Sequence, residues 1–337
     1  MPGVRVGHYT DLEHATGCTV VLTESSAVGG IDVRGAAPGS RETEILHPLT
    51  SAELITGCLL TGGSVWGLAA ADGATRYLTE RGIGVKFANR TIPLLPAAVI
   101  FDLGLKSDVC PDADAGYAAC ESAFEPELES ASGEVPQGSV GAGTGATVGG
   151  MCGLRRRIKG GLGTASVSFD DPGDDAGGDG VVVGAIVVVN AVGGVVDPDT
   201  GEIVAGPRTS RVNGGFEDSN RILLDNPPES LVSGWEQQPH TVIGAIATNA
   251  RMNKKAAIRL AGAGQDAIAM AIRPAHTESD GDIVFTLATG HHEPVHPDRL
   301  RAAATRAMVG AILSAIGHAT GLGGIPSAAE YLRSPEA

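Results

Sequence analysis

The sequence predicts an α/β protein of packed sheets flanked by helices, and three observations predict it. Apolar residues fill 42% of the 337 positions but aromatics only 4%, so the core is built from Ala, Val, Ile and Leu. Apolar, β-branched runs recur along the chain, the longest at 181–196. They alternate with helical stretches, yet several follow one another directly. That order favours helices outside packed sheets over a single doubly wound sheet. The 49 Gly and 19 Pro exceed ordinary usage. With no Gly-X-Y period and ample apolar residues, collagen and disorder are excluded. By length alone, one large domain or two ordinary ones are possible.

In chain order, 4–6 and 18–22 are strand-like, the second ending at polar Thr23-Glu24-Ser25-Ser26. Ile31-Asp32-Val33 alternates, then breaks into a glycine-rich loop at 35–39 beside Arg34, Arg41 and Glu42. Residues 65–80 are helical, with Leu68, Ala71, Ala74 and Leu78 near a 3.6 period, Ser64 as N-cap and Gly82 as stop. A buried strand follows at 96–103, a small-residue helix at 113–123, and an acidic surface excursion at 125–137. Residues 227–240 have linker character. A buried strand at 241–249 leads into a helix capped by Asn253, with Ala256, Leu260 and Ala267 on its apolar face. A strand at 283–289 and a long helix opened by Pro297-Asp298 complete the order.

The net charge of −15 repels phosphate backbones, and Arg155-Arg156-Arg157 with Lys159 is too short a run to reverse that. No nucleic-acid partner is expected. The N-terminus has no apolar core of a signal peptide. The 181–196 run is broken by Gly184, Asn190, Gly193 and Gly194 and falls short of the roughly 20 residues of a membrane span. Cys18, Cys58, Cys110, Cys120 and Cys152 form an odd, scattered set without CxxC, which points to reduced thiols in a cytoplasm.

Ten glycines crowd 138–163, but the Walker pattern is absent and the dinucleotide pattern half fits, so tight strand crossings are the better account. His291, His292 and His296 fit no compact zinc spacing, and no metal or organic cofactor is expected. Three placements carry chemistry. Asn190 is the one polar side chain in its apolar run, so it either ties a loop or aims its amide at a developing oxyanion. Asp280-Gly281-Asp282 is a tight turn with solvated carboxylates, part of a weak calcium loop, or a carboxylate pair at a strand mouth. Thr241 opens a buried strand after a linker. If freed by cleavage, its α-amine, with a pKa of about 8, would serve its own hydroxyl as base.

These segments resemble the S58 peptidases, which include L-aminopeptidase/D-esterases, β-peptidyl aminopeptidases and the 6-aminohexanoate (nylon) oligomer hydrolase. The similarity is carried by 241–252 and by Arg273-Pro-Ala-His-Thr-Glu-Ser-Asp-Gly-Asp282. Val4-Arg-Val-Gly-His8, Thr16-Gly-Cys-Thr19, 33–43, Leu60-Thr-Gly-Gly-Ser64, 96–102, Lys159-Gly-Gly-Leu-Gly-Thr164 and Val187-Val-Val-Asn190 continue it in family order.

The resemblance implies an αββα sandwich of N-terminal-nucleophile type, one domain over 1–337. It implies self-cleavage between His240 and Thr241 into 1–240 and 241–337, and a homo-oligomer of cleaved protomers. Thr241 then matches the nucleophile, Asn190 the oxyanion asparagine, Asp280 and Asp282 the acidic pair, and Lys159 a basic residue near the scissile bond. Phe101, Ser64 and Trp66 are candidates for substrate contact. The expected substrate is a short peptide or amide with a free amino end. Thr248, in Ala-Thr-Asn, is a rival nucleophile, but seven residues along a strand it faces the other side. Two features depart from the family: His240 stands where Gly or Asn precedes the cut, and Phe101 stands for an active-site tyrosine. The alternatives are an acyltransferase using the same threonine and an unprocessed, non-catalytic homologue.

Overall fold

The computed structural model describes residues 1, 3–124, 134–170, 180–209, 214–225, 227 and 240–333. Most of the expected excursion at 125–137 and linker at 227–240 lies outside the described residues. Nine strands share one hydrogen-bonded sheet: β1 (Val4–Asp11), β2 (Thr16–Val33), β3 (Ser40–Arg41), β4 (Leu54–Thr61), β5 (Ala97–Val99), β6 (Gly161–Phe169), β7 (Val181–Asn190), β8 (Thr241–Ala250) and β9 (Ile283–His292). The spatial order is β6-β7-β8-β9-β2-β4-β5-β3, with β1 also paired to β2. β8–β9 and β4–β5 are parallel and the other pairs antiparallel, so the sheet is mixed.

Three apolar clusters show how this path forms two layers between helices. Cys18, Val20 and Leu22 of β2 and Leu59 of β4 pack against α1 (Ala70–Glu80) and α2 (Ala113–Phe124). Val21, Ile55, Cys58 and Leu60 face the opposite way, onto Ile186, Val188, Ile243, Ala245 and Phe285. The remaining faces of β7 and β8, through Val183, Val187, Val242 and Ile246, pack on α3 (Lys254–Ala271) and α4 (Pro297–Gly317). This period-2 alternation buries both faces of β7 and β8, which is why they read as continuous apolar runs. The expected α/β sandwich is present.

The 18-residue β2 corrects the expectation of two separate strands. Its register on β4 shifts between Leu22 and Ala27, and Ser26 takes φ 59°. The polar Glu24 and Ser25 are exposed at this bend, where the strand leaves the first layer and joins β9 in the second. Chain polarity there marks a bulge within a strand rather than its end.

The 181–196 run likewise breaks after Asn190, and Gly194–Val196 joins a small separate sheet with Ile203–Ala205 and Ile272–Arg273. The strand expected over 96–103 is regular only at Ala97–Val99. α3 starts where Asn253 accepts the Ala256 N–H at 2.9 Å, and its buried face runs through Ala257, Leu260, Ala261 and Ala267, with Ala256 half-buried. α4 is long and apolar enough to cross a membrane by length and composition. Here its Leu300, Ala304, Met308 and Ile312 face lies in the core beside β6 and β7. It approaches β6 closely because Gly163 has no side chain: a Cβ there would lie 2.1 Å from the Ala311 carbonyl oxygen.

Candidate active site

β8 and β9 run parallel from a common end, and an isolated bridge pairs His240 with Asp280 just before both begin. On the other side of β8, antiparallel β7 ends with Asn190 opposite Thr241. The fold therefore sets Thr241, 5% exposed, between Asn190 and the Asp280-Gly281-Asp282 turn. The Thr241 hydroxyl donates to the His240 carbonyl oxygen at 2.5 Å. The same oxygen accepts the Gly281 N–H at 3.1 Å, so the His240–Thr241 amide carbonyl already holds two donors. The loop after β2 clamps the turn from behind: Arg34 N–H donates to the Asp282 carbonyl and Ala37 N–H to that of Asp280.

The two carboxylates are buried and held differently. Asp282 accepts the Val242 N–H on Oδ1 at 2.7 Å. On Oδ2 it accepts the His276 Nδ1–H at 2.8 Å and the His276 backbone N–H at 3.2 Å. Asp280 accepts the Thr277 N–H at 2.8 Å and the Thr277 hydroxyl at 2.9 Å, both on Oδ2. Burial, then the Asp282 charge, pushes the Asp280 carboxyl up to about 7. Burial opposes charge on His276, but the hydrogen bond to Asp282 and its negative charge outweigh it and hold the imidazole above its ordinary value.

Asn190 does tie loops, using both ends of its amide. Its Oδ1 accepts the Thr147 N–H at 3.0 Å, and its Nδ2 donates to the Phe101 carbonyl oxygen at 3.2 Å. An amide nitrogen carries two protons, so this leaves one to offer elsewhere. Lys159 is fully buried on the strand paired with Thr147. Its Nζ donates to the Thr144 and Ala146 carbonyls at 2.7 and 2.6 Å. Burial lowers Lys159 to about 7, with the Asp102 charge working the other way. The lysine thus braces the strand segment that orients Asn190.

His240 is buried, and burial followed by the Arg157 charge depresses its imidazole to about 3. It is seated on Gly150, where a Cβ would meet the ring at 1.9 Å. A neutral ring beside the amide adds no competing charge.

Trp66, Phe101, Leu103 and Cys110 line a cleft of about 560 Å³. Trp66 is 65% exposed and Phe101 half-buried, and the Phe101 carbonyl connects this cleft to Asn190. Ser64 is not a helix N-cap. A 3₁₀ turn, Ser64–Ala69, precedes α1, its cap residue Gly63 has φ 77°, and Ser64 itself has φ 53° with no capping side-chain bond. The Gly63 N–H instead donates to Asp102 Oδ1 at 2.7 Å, while Asp102 Oδ2 accepts the Thr16 hydroxyl at 2.8 Å. Burial raises Asp102 to about 6 against these donors. Thr248 lies seven residues along β8, about 23 Å away at ordinary strand rise. It pairs with Val183 and Ala288, far from both aspartates.

His296 accepts the Asp298 N–H and caps α4. Among the described residues no group of His, Cys, Asp and Glu gathers to hold a metal. Sequence reasoning gave no role to His276 or Asp102. Both lay inside segments quoted above, but only folding shows what they touch.

Comparison with known proteins shows the family. A model of peptidase family S58 matches residues 1–328. The chain is 41% identical over 306 residues to an uncharacterised aminopeptidase of Mycobacterium leprae, covering 86% of this chain and 77% of that one. It is 31% identical over 324 residues to a 6-aminohexanoate-oligomer endohydrolase of Kocuria sp., covering 94% and 82%. Among solved structures, a Burkholderia sp. beta-aminopeptidase superposes with TM-score 0.69 at 24% identity over 98% of this chain and 91% of that one. The L-aminopeptidase D-Ala-esterase/amidase of Ochrobactrum anthropi, described as a variant of the Ntn hydrolase fold, gives 0.67 at 20% identity, over 97% and 87%.

Proposed function

This chain belongs to peptidase family S58 and hydrolyses peptide or amide bonds, and on that premise we propose that Thr241 is its nucleophile. The observation that carries the proposal is the contact of the Thr241 hydroxyl with the His240 carbonyl, bracketed by the Gly281 N–H and Asn190.

In maturation, Thr241 Oγ adds to the His240 carbonyl carbon, and the Gly281 N–H donates to the resulting oxyanion. Collapse breaks the C–N bond, giving an ester on Oγ and a free Thr241 amine, its nitrogen taking up the proton that the hydroxyl gave up. Water then hydrolyses the ester and leaves His240 as a carboxylate terminus. In turnover, the Thr241 hydroxyl gives its proton to its own α-amine while Oγ attacks the substrate carbonyl. The remaining Asn190 Nδ2–H meets the oxyanion. The ammonium protonates the leaving amine, and water releases the acid. Asp280 and Asp282 hold the strand end and the Thr241 ammonium. Lys159 acts through the segment it braces, and the Trp66–Phe101 cleft receives a short peptide or amide with a free amino end. Phe101 lacks a phenol, which leaves Asn190 as the side-chain oxyanion donor. On the family resemblance and the scattered cysteines, we extend the proposal to a homo-oligomer of cleaved protomers in the cytoplasm.

Intact-mass measurement of purified protein tests maturation. Fragments 1–240 and 241–337 are expected, and a single 34.0 kDa species after long incubation would count against the mechanism. For turnover, Asn190→Ala in the matured enzyme is expected to lower kcat by about 10²–10³ with a much smaller change in KM. An equal loss in ground-state binding would remove Asn190 from the oxyanion role.

A further inference from the structure

We propose that His276 is a positioning residue for the Thr241 reaction: with both ring nitrogens donating, it fixes Asp282 as the ionised carboxylate and leaves Asp280 to carry the exchangeable proton. The inference rests on the nucleophile proposed above and assigns a division of labour between the two aspartates.

The geometry is that of a ring held at both ends. Nδ1 lies 2.8 Å from Asp282 Oδ2, and Nε2 lies 3.3 Å from the Gln265 carbonyl oxygen on α3. A carbonyl can only accept, so Nε2 must carry a proton to make that contact. A carboxylate packed among donors accepts from Nδ1, so both contacts together require the imidazolium. Gln265 is itself fixed, its Nε2 donating to the Asp32 and Asp282 carbonyls at 2.8 and 3.1 Å. His276 has φ 57°, a left-handed state uncommon outside glycine, and there its N–H and its ring reach the same Asp282 oxygen. Asp282 therefore has three donors over its two oxygens, which suits a full negative charge.

Asp280 is different. The donors that reach it among the described residues both come from Thr277 and both go to Oδ2. Two buried carboxylates this near do not ionise independently. With Asp282 fixed as the anion, the proton of the pair resides on Asp280, beside His240 and Thr241. The charged groups facing His276 are Asp282 and Asp280 from its own loop and Arg34 from the end of β2. Arg34 is itself bonded to Asp32 and Asp266 at 3.0 and 2.7 Å. Arg34 opposes the imidazolium, and the carboxylates favour it.

The sign of the effect follows. Removing a cation beside a carboxylate pair makes the pair harder to ionise, so its apparent pKa rises. His276→Gln, which keeps a donor but no charge, is expected to move the acid limb of kcat/KM upward by about one pH unit. Activity then falls about tenfold on that limb and rejoins wild type at higher pH. His276→Lys, restoring a cation, is expected to bring the limb back toward wild type. A loss by the same factor at every pH, or an unmoved limb, would overturn the proposal.

Should the Gln variant fail to accumulate, ¹⁵N spectra of the wild-type ring decide the matter. Two protonated ring nitrogens at pH 6.5 support the proposal, and one protonated nitrogen overturns it. Thr241→Ala separates the two ideas. Hydrolysis surviving in that variant would reject the nucleophile, whereas an inactive Thr241→Ala beside an unmoved His276→Gln profile rejects the positioning role alone.

Discussion

Replacing Thr241 by Ala is expected to yield one uncut 34.0 kDa chain and to lower amide hydrolysis at least about a thousandfold, or about 4 kcal/mol of barrier. The variant deletes the hydroxyl that touches the His240 carbonyl while leaving the β7 and β9 ladders in place. Its thermal stability should therefore stay close to that of the uncut wild type. Thr241→Ser keeps a hydroxyl and is expected to process. Thr248→Ala removes a fully buried hydroxyl and methyl, so it costs some stability, yet it should leave cleavage at His240–Thr241 unchanged. Mass spectrometry and a peptide or amide assay check all three. Cleavage at the same bond in Thr241→Ala would move the nucleophile to another group.

The second large effect is expected at Asp282, which is 1% exposed. Asp282→Ala strands the His276 imidazole and leaves the Val242 N–H without its acceptor at 2.7 Å. Breaking a buried charge pair from one side costs about 3–5 kcal/mol, enough to lower Tm by about 4–7 °C in a domain of this size. Processing should fail as well, because the first peptide of β8 loses its anchor beside the scissile bond. Asp282→Asn is expected to be milder in stability. Its Oδ1 can still take the Val242 N–H, and the imidazole can switch to the tautomer protonated on Nε2. Calorimetry separates the two variants. Equal Tm values for Asp282→Ala and wild type would remove Asp282 from the framework of the site.

What could be read from residues alone was the part governed by local pattern. Asn190 stood out as an amide in an apolar run, and it does lie opposite Thr241 because both occupy strand ends in register. Asp280 and Asp282 stood out as a pair at a strand mouth, but pattern could not show that one is ringed by three donors and the other by two. His276 gave no periodic or compositional sign. Its role depends on Gln265, eleven residues away on a helix, presenting a carbonyl to the ring. Ser64 as a helix cap misled for a similar reason: Asp102, three residues beyond β5, accepts the Gly63 N–H at the start of the turn. The bend in β2 was hidden because its polar residues satisfy the rule for a strand terminus equally well.

The place of β8 and β9 in the sheet bears on how a cut molecule would behave. These two strands enter the path between β7 and β2, both of which belong to the 1–240 portion. A break at His240–Thr241 would therefore create a two-chain protein whose smaller chain is a wedge, gripped by a ladder on either flank. Such a heterodimer would need no bimolecular encounter, since its halves would have folded as one chain at the effective concentration of a tether. Made separately, the larger piece would present two open strand edges facing an empty slot, the usual template for aggregation. On the proposed maturation, the covalent bond would be needed for assembly and dispensable afterwards, so a single peptide link would serve first as the scaffold of the fold and then as the first substrate of its own threonine.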